Sequence, residues 1–97
     1  MKNLKEIKKE LKGKEITLLE LDNNMQMLLE TEESIYNYLS ESLEQHSFAY
    51  IIGFENEEEQ AICVDFEIKD SEYEKKLEKD EDYKFDMIIK VNNIFEL

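Results

Sequence analysis

Arginine and proline are absent from this 97-residue chain, and lysine is missing from its entire central part. All twelve basic residues are lysines, and none lies between residues 15 and 68, a stretch that contains fourteen acidic residues. Residues 1–14 are net +4 and residues 69–97 are net −3, so the chain as a whole carries −13. A stretch of 54 residues without a cation cannot neutralise its own surface by local ion pairs. The sequence therefore predicts a strongly negative potential over the middle of the protein.

Cysteine, histidine and glycine are scarce, and their scarcity argues against several kinds of site. Cys63 is the single cysteine and has no internal disulfide partner, which is typical of a reducing compartment. His46 is the only histidine, so the chain contains neither a Ser-His-Asp set nor a metal-spaced Cys/His cluster. With only Gly13 and Gly53, it also lacks a glycine-rich phosphate loop. We therefore expect no catalytic site, no metal and no cofactor.

Long apolar runs are lacking as well. No segment approaches the roughly 20 apolar residues that a membrane-spanning helix requires, and no apolar signal core follows the lysine-rich start of the sequence. Hydrophobic residues still make up 41% of the chain, which is enough for one modest core and too much for a disordered acidic tail. We expect a single domain over residues 1–97, located in the cytoplasm, with no membrane partner.

Helical periodicity predicts two main helices. The first covers about residues 2–12, where leucine and isoleucine recur at helical spacing, and Gly13 follows as a C-terminal cap. The second is capped by Thr31, carries apolar residues at i, i+4 and i+8 from Ile35, and ends near His46. A capping-box pattern at residues 71–74 predicts a third, short helix at about 72–79.

Alternation of apolar and polar residues predicts strands in the remaining segments. Residues 15–21 and 25–30 fit a β-hairpin around the Asp22-Asn23-Asn24 turn, with a helix across the same region as the competing interpretation. Residues 83–91 fit a last strand, which the tail at 92–97 either extends or covers.

The clearest strand signal is a second hairpin, residues 48–55 with 61–69. Pairing residues i and j with i + j = 116 puts eight apolar residues on one face and leaves the acidic segment 55–60 as the loop. The order of elements is then α-β-β-α-β-β-(α)-β. The expected fold class is α+β, with a mainly antiparallel sheet of about five strands and two helices packed on one face. The uncovered face is expected to carry Ile51, Asp65, Glu67 and Asp86.

The acidic surface is the main candidate for a functional site. Carboxylates spaced along a surface can stand in for the phosphates of a nucleic acid, and they attract a basic protein surface with fast, salt-sensitive association. The competing interpretation is an acidic excess that only keeps the protein soluble. The candidate partner-binding residues are Glu30, Glu32, Glu33, Glu41, Glu44, Glu55, Glu57, Glu58, Glu59, Asp65 and Glu67.

Three functions agree with this composition. The first is a small acidic inhibitor that binds the basic surface of a nucleic-acid-handling protein, as a DNA mimic or a phage-type antagonist of host defence does. The second is an immunity protein or antitoxin that neutralises a basic toxin. The third is a non-inhibitory adaptor or self-associating subunit that uses an edge strand with Ile51 and Ile88. Direct binding to nucleic acid is not expected, because like charges repel.

Overall fold

A four-stranded antiparallel sheet with helices packed against it forms a single α+β fold in the computed structural model, which describes residues 3–53 and 59–97. The helices are α1 (Leu4–Leu11), α2 (Leu18–Leu29), α3 (Leu39–Gln45) and α4 (Tyr73–Lys79), and 3-10 turns cover Ile35–Tyr38 and Glu81–Phe85. The strands are β1 (Glu15–Thr17), β2 (Ser47–Gly53), β3 (Glu59–Ile68) and β4 (Ile88–Glu96). Among the described residues, no helix has the length and apolarity needed to cross a bilayer.

The sheet has the order β1-β4-β3-β2, so β2 lies at one edge and the three-residue β1 at the other. Side chains alternate along β2 and β3, and Phe48, Tyr50, Ile62, Val64 and Phe66 point into the core. Helices α1, α2 and α3 supply the other side of that core through buried isoleucines and leucines. Three helices therefore supply this side of the core and not the expected two, because α2 forms in a segment that was expected to be a hairpin.

The central hairpin is confirmed, but its predicted register is wrong by four. Phe48 pairs with Val64 and Tyr50 with Ile62, so paired residues sum to 112 and not 116. An even shift keeps every side chain on its face, because strands repeat every two residues. The apolar pattern therefore specifies which face is buried, but it does not distinguish registers that differ by an even number of residues. The length of the loop determines which of these registers forms. The predicted loop 55–60 is too long, because Glu59 and Gln60 belong to β3. Phe54 and residues 55–58 lie outside the described residues.

The predicted hairpin at 15–30 is wrong, and this removes one strand from the expected five. Thr17 accepts a hydrogen bond from the backbone N–H of Glu20 and caps α2, which continues through the expected turn to Leu29. Asn24 lies inside the helix and donates its side-chain amide to the Glu20 carbonyl at 2.9 Å. Asp22 is buried and takes part in tertiary hydrogen bonds, which outweigh its poor helix propensity.

The second predicted helix is shorter than expected: residues 31–34 are not helical, Ile35–Tyr38 form a 3-10 turn, and the α-helix covers only Leu39–Gln45. Ser34, and not Thr31, accepts a hydrogen bond from the backbone of Tyr36 at the start of the 3-10 turn. The Thr31 hydroxyl instead donates to the Ile51 carbonyl at 2.9 Å. This bond joins the segment before α3 to the outer edge of β2, and the helix ends at Gln45 as expected.

The last strand begins five residues later than predicted. Residues 83–85 belong to a 3-10 turn that Asp86 ends, so Asp86 does not lie on the uncovered sheet face as expected. Val91 and Ile94 are both buried although they are three residues apart, because the β3–β4 register shifts between Asp65 and Phe66. The possibility that residues 92–97 extend this strand is confirmed through Glu96. Helix α4 matches its predicted bounds to within one residue, but the predicted capping box does not form, because Glu72 is the N-cap and its side chain makes no capping hydrogen bond.

A buried hydrogen-bond network around Asp22 holds α2, the start of the 3-10 turn and β2 together. The Asp22 carboxylate is 4% exposed and accepts hydrogen bonds from Ser34 Oγ at 2.8 Å, the Ile35 backbone N–H at 3.0 Å and the Tyr50 hydroxyl at 3.0 Å. Burial, followed by the negative charge of Asp22, raises the pKa of Tyr50, so this hydroxyl remains a donor at any ordinary pH. The network sets where α3 begins relative to β2.

A second polar cluster joins α4 to the turn before β4. Asp70 accepts hydrogen bonds from Lys76, from the backbone N–H of Glu72 at 2.9 Å and from the Tyr83 hydroxyl at 2.6 Å. The bond from Lys76 is the main cause that lowers the pKa of Asp70 to about 2. Burial, followed by the bond to Asp70, raises the pKa of Tyr83 to about 12. Asp70 therefore stabilises the fold above its ordinary pKa of about 3.9, and this contribution is lost as the pH falls toward 2.

We expect Asp70→Asn to lower the pKa of Tyr83 part of the way toward its ordinary value, because burial remains while the carboxylate charge is removed. Titration of the ¹³Cζ resonances of the tyrosines measures this shift. Asp82→Asn is the matched control and should leave the Tyr83 titration unchanged. A Tyr83 pKa that is the same in Asp70→Asn as in the wild type would show that the hydrogen bond does not form.

Candidate functional site

The fold converts the uneven charge of the sequence into an uneven distribution in space. Helix α1 carries lysines and lies against β4, where Gly13 N–H donates to the Val91 carbonyl. Strand β2 is two strands away from β4, and roughly 10 Å separates them at the usual strand spacing. That distance is about one Debye length at physiological salt. Salt therefore weakens the interaction between the α1 lysines and carboxylates at the β2 edge.

A groove lies at the β2 edge, between α3 and the sheet face that the helices leave uncovered. We call it the α3–β2 groove; it has a volume of about 570 Å³. One wall carries Tyr38 and the α3 side chains, and the floor is formed by outward-facing residues of β2, β3 and β4. The lining residues are Glu33, Tyr38, Glu41, Ser42, Gln45, Ser47, Phe48, Ala49, Ile51, Cys63, Asp65, Phe95 and Leu97.

The strand register places an apolar row in the floor of the α3–β2 groove. Ala49 pairs with Cys63, and Cys63 pairs with Phe95, so the three residues form one row across three strands. Ile51 lies beside this row on β2 and is 43% exposed. Tyr38 rises from the wall, stacks on Phe48 with ring centroids 6.4 Å apart, and is 56% exposed.

Carboxylates form the rim of the groove. Glu33 reaches it from the segment before α3, Glu41 from α3 and Asp65 from β3. Among the described residues that line the groove there is no lysine. Lys69, Lys76 and Lys84 form ion pairs away from the groove, with Glu15, Asp70 and Glu81 respectively. The groove therefore combines an apolar floor with a rim of one sign of charge.

Cys63 in the floor is a packing residue. It is 6% exposed, its Sγ lies 3.1 Å from Ser47 Oγ, and it is 3.9 Å from an Asp65 carboxylate oxygen. Burial raises the pKa of the Cys63 thiol above its ordinary value. The thiol is therefore protonated at neutral pH and is a poor nucleophile.

The structure brings some of the predicted acidic residues together and separates others. Glu33, Glu41 and Asp65 share the α3–β2 groove. Glu44 faces the opposite side of α3, where it lines a depression with residues of α4. Glu67 lies further along β3, opposite Lys90 of β4.

The remaining predicted residues lie around the groove or outside the described residues. Glu30 is the C-cap of α2 with a positive φ of 53°, and Glu32 is exposed in the segment between α2 and the 3-10 turn. Glu59 is the first residue of β3. The positions of Glu55, Glu57 and Glu58 lie outside the described residues.

Sequence reasoning did not select the apolar floor as part of a site. Alternation along β2 and β3 indicates that Ala49, Ile51 and Cys63 face away from the core, and Ile51 was expected on the uncovered face. The contribution of Phe95 depends on the register shift in β4, which the apolar pattern does not reveal.

Comparison with known proteins identifies no relative. No protein-family model, curated protein or solved structure matches the chain. Among residues 3–53 and 59–97, no group of three or more histidine, cysteine or carboxylate side chains is placed to hold a metal ion.

Proposed function

We propose that this protein is a small acidic binding protein that occupies the basic surface of a nucleic-acid-handling protein and blocks its access to DNA or RNA. The observation that carries the proposal is the α3–β2 groove, whose rim carries Glu33, Glu41 and Asp65 and whose described lining contains no lysine. A basic surface complements such a rim, and attraction between opposite charges accelerates the encounter.

The separation of charge supports binding in one orientation. The α1 lysines lie on the β4 side of the sheet, so a cationic partner is repelled there and attracted at the β2 edge. A uniformly acidic protein would attract the same partner from every direction. The net charge of −13 adds long-range attraction, which increases the rate of encounter more than it increases affinity.

The proposal is tested by affinity capture from an extract of the organism that encodes the protein, at low and at high salt. We expect nucleic-acid-binding proteins to be retained at low salt, to be released as the salt rises, and to be released at low salt when duplex DNA or RNA is added. The fall with salt follows from screening of exposed charges. Retention of no such protein at low salt, or retention that nucleic acid does not compete with, would contradict the proposal.

The identity of a captured partner distinguishes the inhibitor from an immunity protein or antitoxin. Both use the same electrostatic attraction, and the second is indicated when the partner is a nuclease toxin encoded beside this protein. An adjacent set of phage genes, with a host restriction or defence enzyme as partner, indicates the first.

A further inference from the structure

The floor of the α3–β2 groove has a chemistry that a phosphate mimic does not need. A surface that only imitates the nucleic-acid backbone requires spaced carboxylates and no exposed apolar surface between them. Here the row Ala49–Cys63–Phe95 crosses three strands, and Ile51 beside it remains 43% exposed. Apolar surface that is left in a groove between charged residues is typical of a protein interface.

The charge of the rim limits what can cover this floor. A second copy of the chain would bring its own rim of Glu33, Glu41 and Asp65 against the first, and each copy carries −13. An anionic membrane surface would be repelled in the same way. A protein segment with both cationic and apolar side chains pairs with the rim carboxylates and also covers the apolar floor.

We propose that the α3–β2 groove binds a partner segment that places an aliphatic or aromatic side chain on the Ala49–Cys63–Phe95 row and lysine or arginine against the rim carboxylates. This inference rests on the proposed function and specifies the partner's chemistry at the contact. Ile51 packs beside the inserted side chain, and Tyr38 closes the groove on the α3 side.

The two kinds of contact respond differently to salt. Screening weakens the ion pairs between the rim and the partner, whereas burial of apolar surface on the floor is not screened. Binding should therefore fall as salt rises and then level off at a residual affinity. A partner held by charge alone would lose affinity continuously over the same range.

The inference is tested with two synthetic twelve-residue peptides of equal charge, one alternating lysine with valine and the other alternating lysine with serine. Fluorescence anisotropy gives the Kd of each peptide, and ¹H–¹⁵N spectra locate its contacts. We expect the lysine–valine peptide to bind at least ~10-fold more tightly, since a few buried valine methyl groups supply that difference. Its shift changes should concentrate at Ala49, Ile51, Cys63 and Phe95.

Two matched variants identify the groove as the origin of this preference. Ile51 and Ile88 are strand isoleucines with exposures of 43% and 42%, and only Ile51 lines the α3–β2 groove. We expect Ile51→Thr to remove most of the preference for the lysine–valine peptide, and Ile88→Thr to retain it. Threonine keeps the branching that favours a strand, so both variants should remain folded.

Three outcomes would overturn the inference. These are equal affinities of the wild type for the two peptides, equal losses in Ile51→Thr and Ile88→Thr, and no binding of either peptide. Equal affinities that fall with salt would exclude the apolar contact but leave the proposed function intact, because the proposed function requires only binding to a basic surface. Failure of the proposed function appears separately, as the absence of a nucleic-acid-binding partner in affinity capture.

Discussion

Replacement of Asp22 by alanine is expected to destabilise the protein by roughly 3–4 kcal/mol, because it leaves the buried hydroxyl of Tyr50 and the backbone N–H of Ile35 without an acceptor. Each unsatisfied buried donor costs about 1–3 kcal/mol, and a domain of this size has a free energy of unfolding of only about 5–15 kcal/mol. Chemical denaturation followed by circular dichroism measures the change.

Asp22→Asn should cost much less, about 1 kcal/mol, because one side-chain oxygen is enough for the two donors that share it. Ile35 N–H and the Tyr50 hydroxyl both bond to Oδ1, whereas only Ser34 Oγ bonds to Oδ2. The amide nitrogen of asparagine replaces Oδ2, and the Ser34 hydroxyl is able to turn and accept from it.

Asn23→Ala is the control, since Asn23 is exposed in the same helix and alanine has the higher helix propensity. It should leave the stability unchanged or raise it slightly. An Asp22→Ala variant as stable as Asp22→Asn would contradict the role assigned to the network, and with it the explanation of how α3 is positioned beside β2.

The second large effect is expected from reversing the charge of the groove rim. The triple variant Glu33→Lys, Glu41→Lys, Asp65→Lys should weaken binding to the captured partner at least ~100-fold at low salt, which corresponds to about 1 kcal/mol for each reversed charge. The measurement is the Kd by isothermal titration calorimetry at two salt concentrations. The difference from the wild type should shrink at the higher concentration, because screening weakens both attraction and repulsion.

A second triple variant separates the position of the charges from their number. Glu74→Lys, Glu78→Lys, Asp82→Lys changes three exposed acidic residues outside the groove, and both triple variants carry a net charge of −7, since each substitution adds two to −13. This control should keep its affinity to within about fivefold, through the smaller long-range attraction alone. Equal losses in the two triple variants would show that net charge, and not the groove, determines binding.

The central hairpin could be predicted because its signal is local. Alternation from Phe48 to Ile52 and from Ile62 to Phe66 specifies which side chains are buried, and all of them are buried as expected. The register could not be predicted in the same way, because any even shift preserves that pattern. It is Gly53 opposite Glu59 that closes the hairpin in the structure.

Helix α2 could not be predicted from its own residues, because the hydrogen bonds that stabilise it come from residues distant in the sequence. Three polar residues at 22–24 indicate a turn by local propensity, yet Asp22 is compensated by Ser34 and Tyr50, which lie 12 and 28 residues further on. Both partners lie too far from Asp22 to belong to the same local sequence pattern. Tertiary hydrogen bonds therefore overrode the local preference.

Part of the acidic site could be predicted from the sequence. The lack of lysine between residues 15 and 68 indicates which part of the chain is acidic. The choice of Glu33, Glu41 and Asp65 as neighbours depends on α3 lying along the β2 edge, which the Asp22 network and the bond from Thr31 to Ile51 establish. Neither contact can be recognised from spacing.

The most direct test of the proposed function is a competition for the captured partner between this protein and nucleic acid. A fluorescently labelled DNA or RNA duplex is bound to the partner, and its anisotropy is followed as this protein is added. Binding at the same basic surface predicts that the wild type and the Glu74/Glu78/Asp82 variant displace the duplex completely, whereas the Glu33/Glu41/Asp65 variant does not. A complex that contains the partner, the duplex and this protein together, with the anisotropy unchanged or raised, would contradict it.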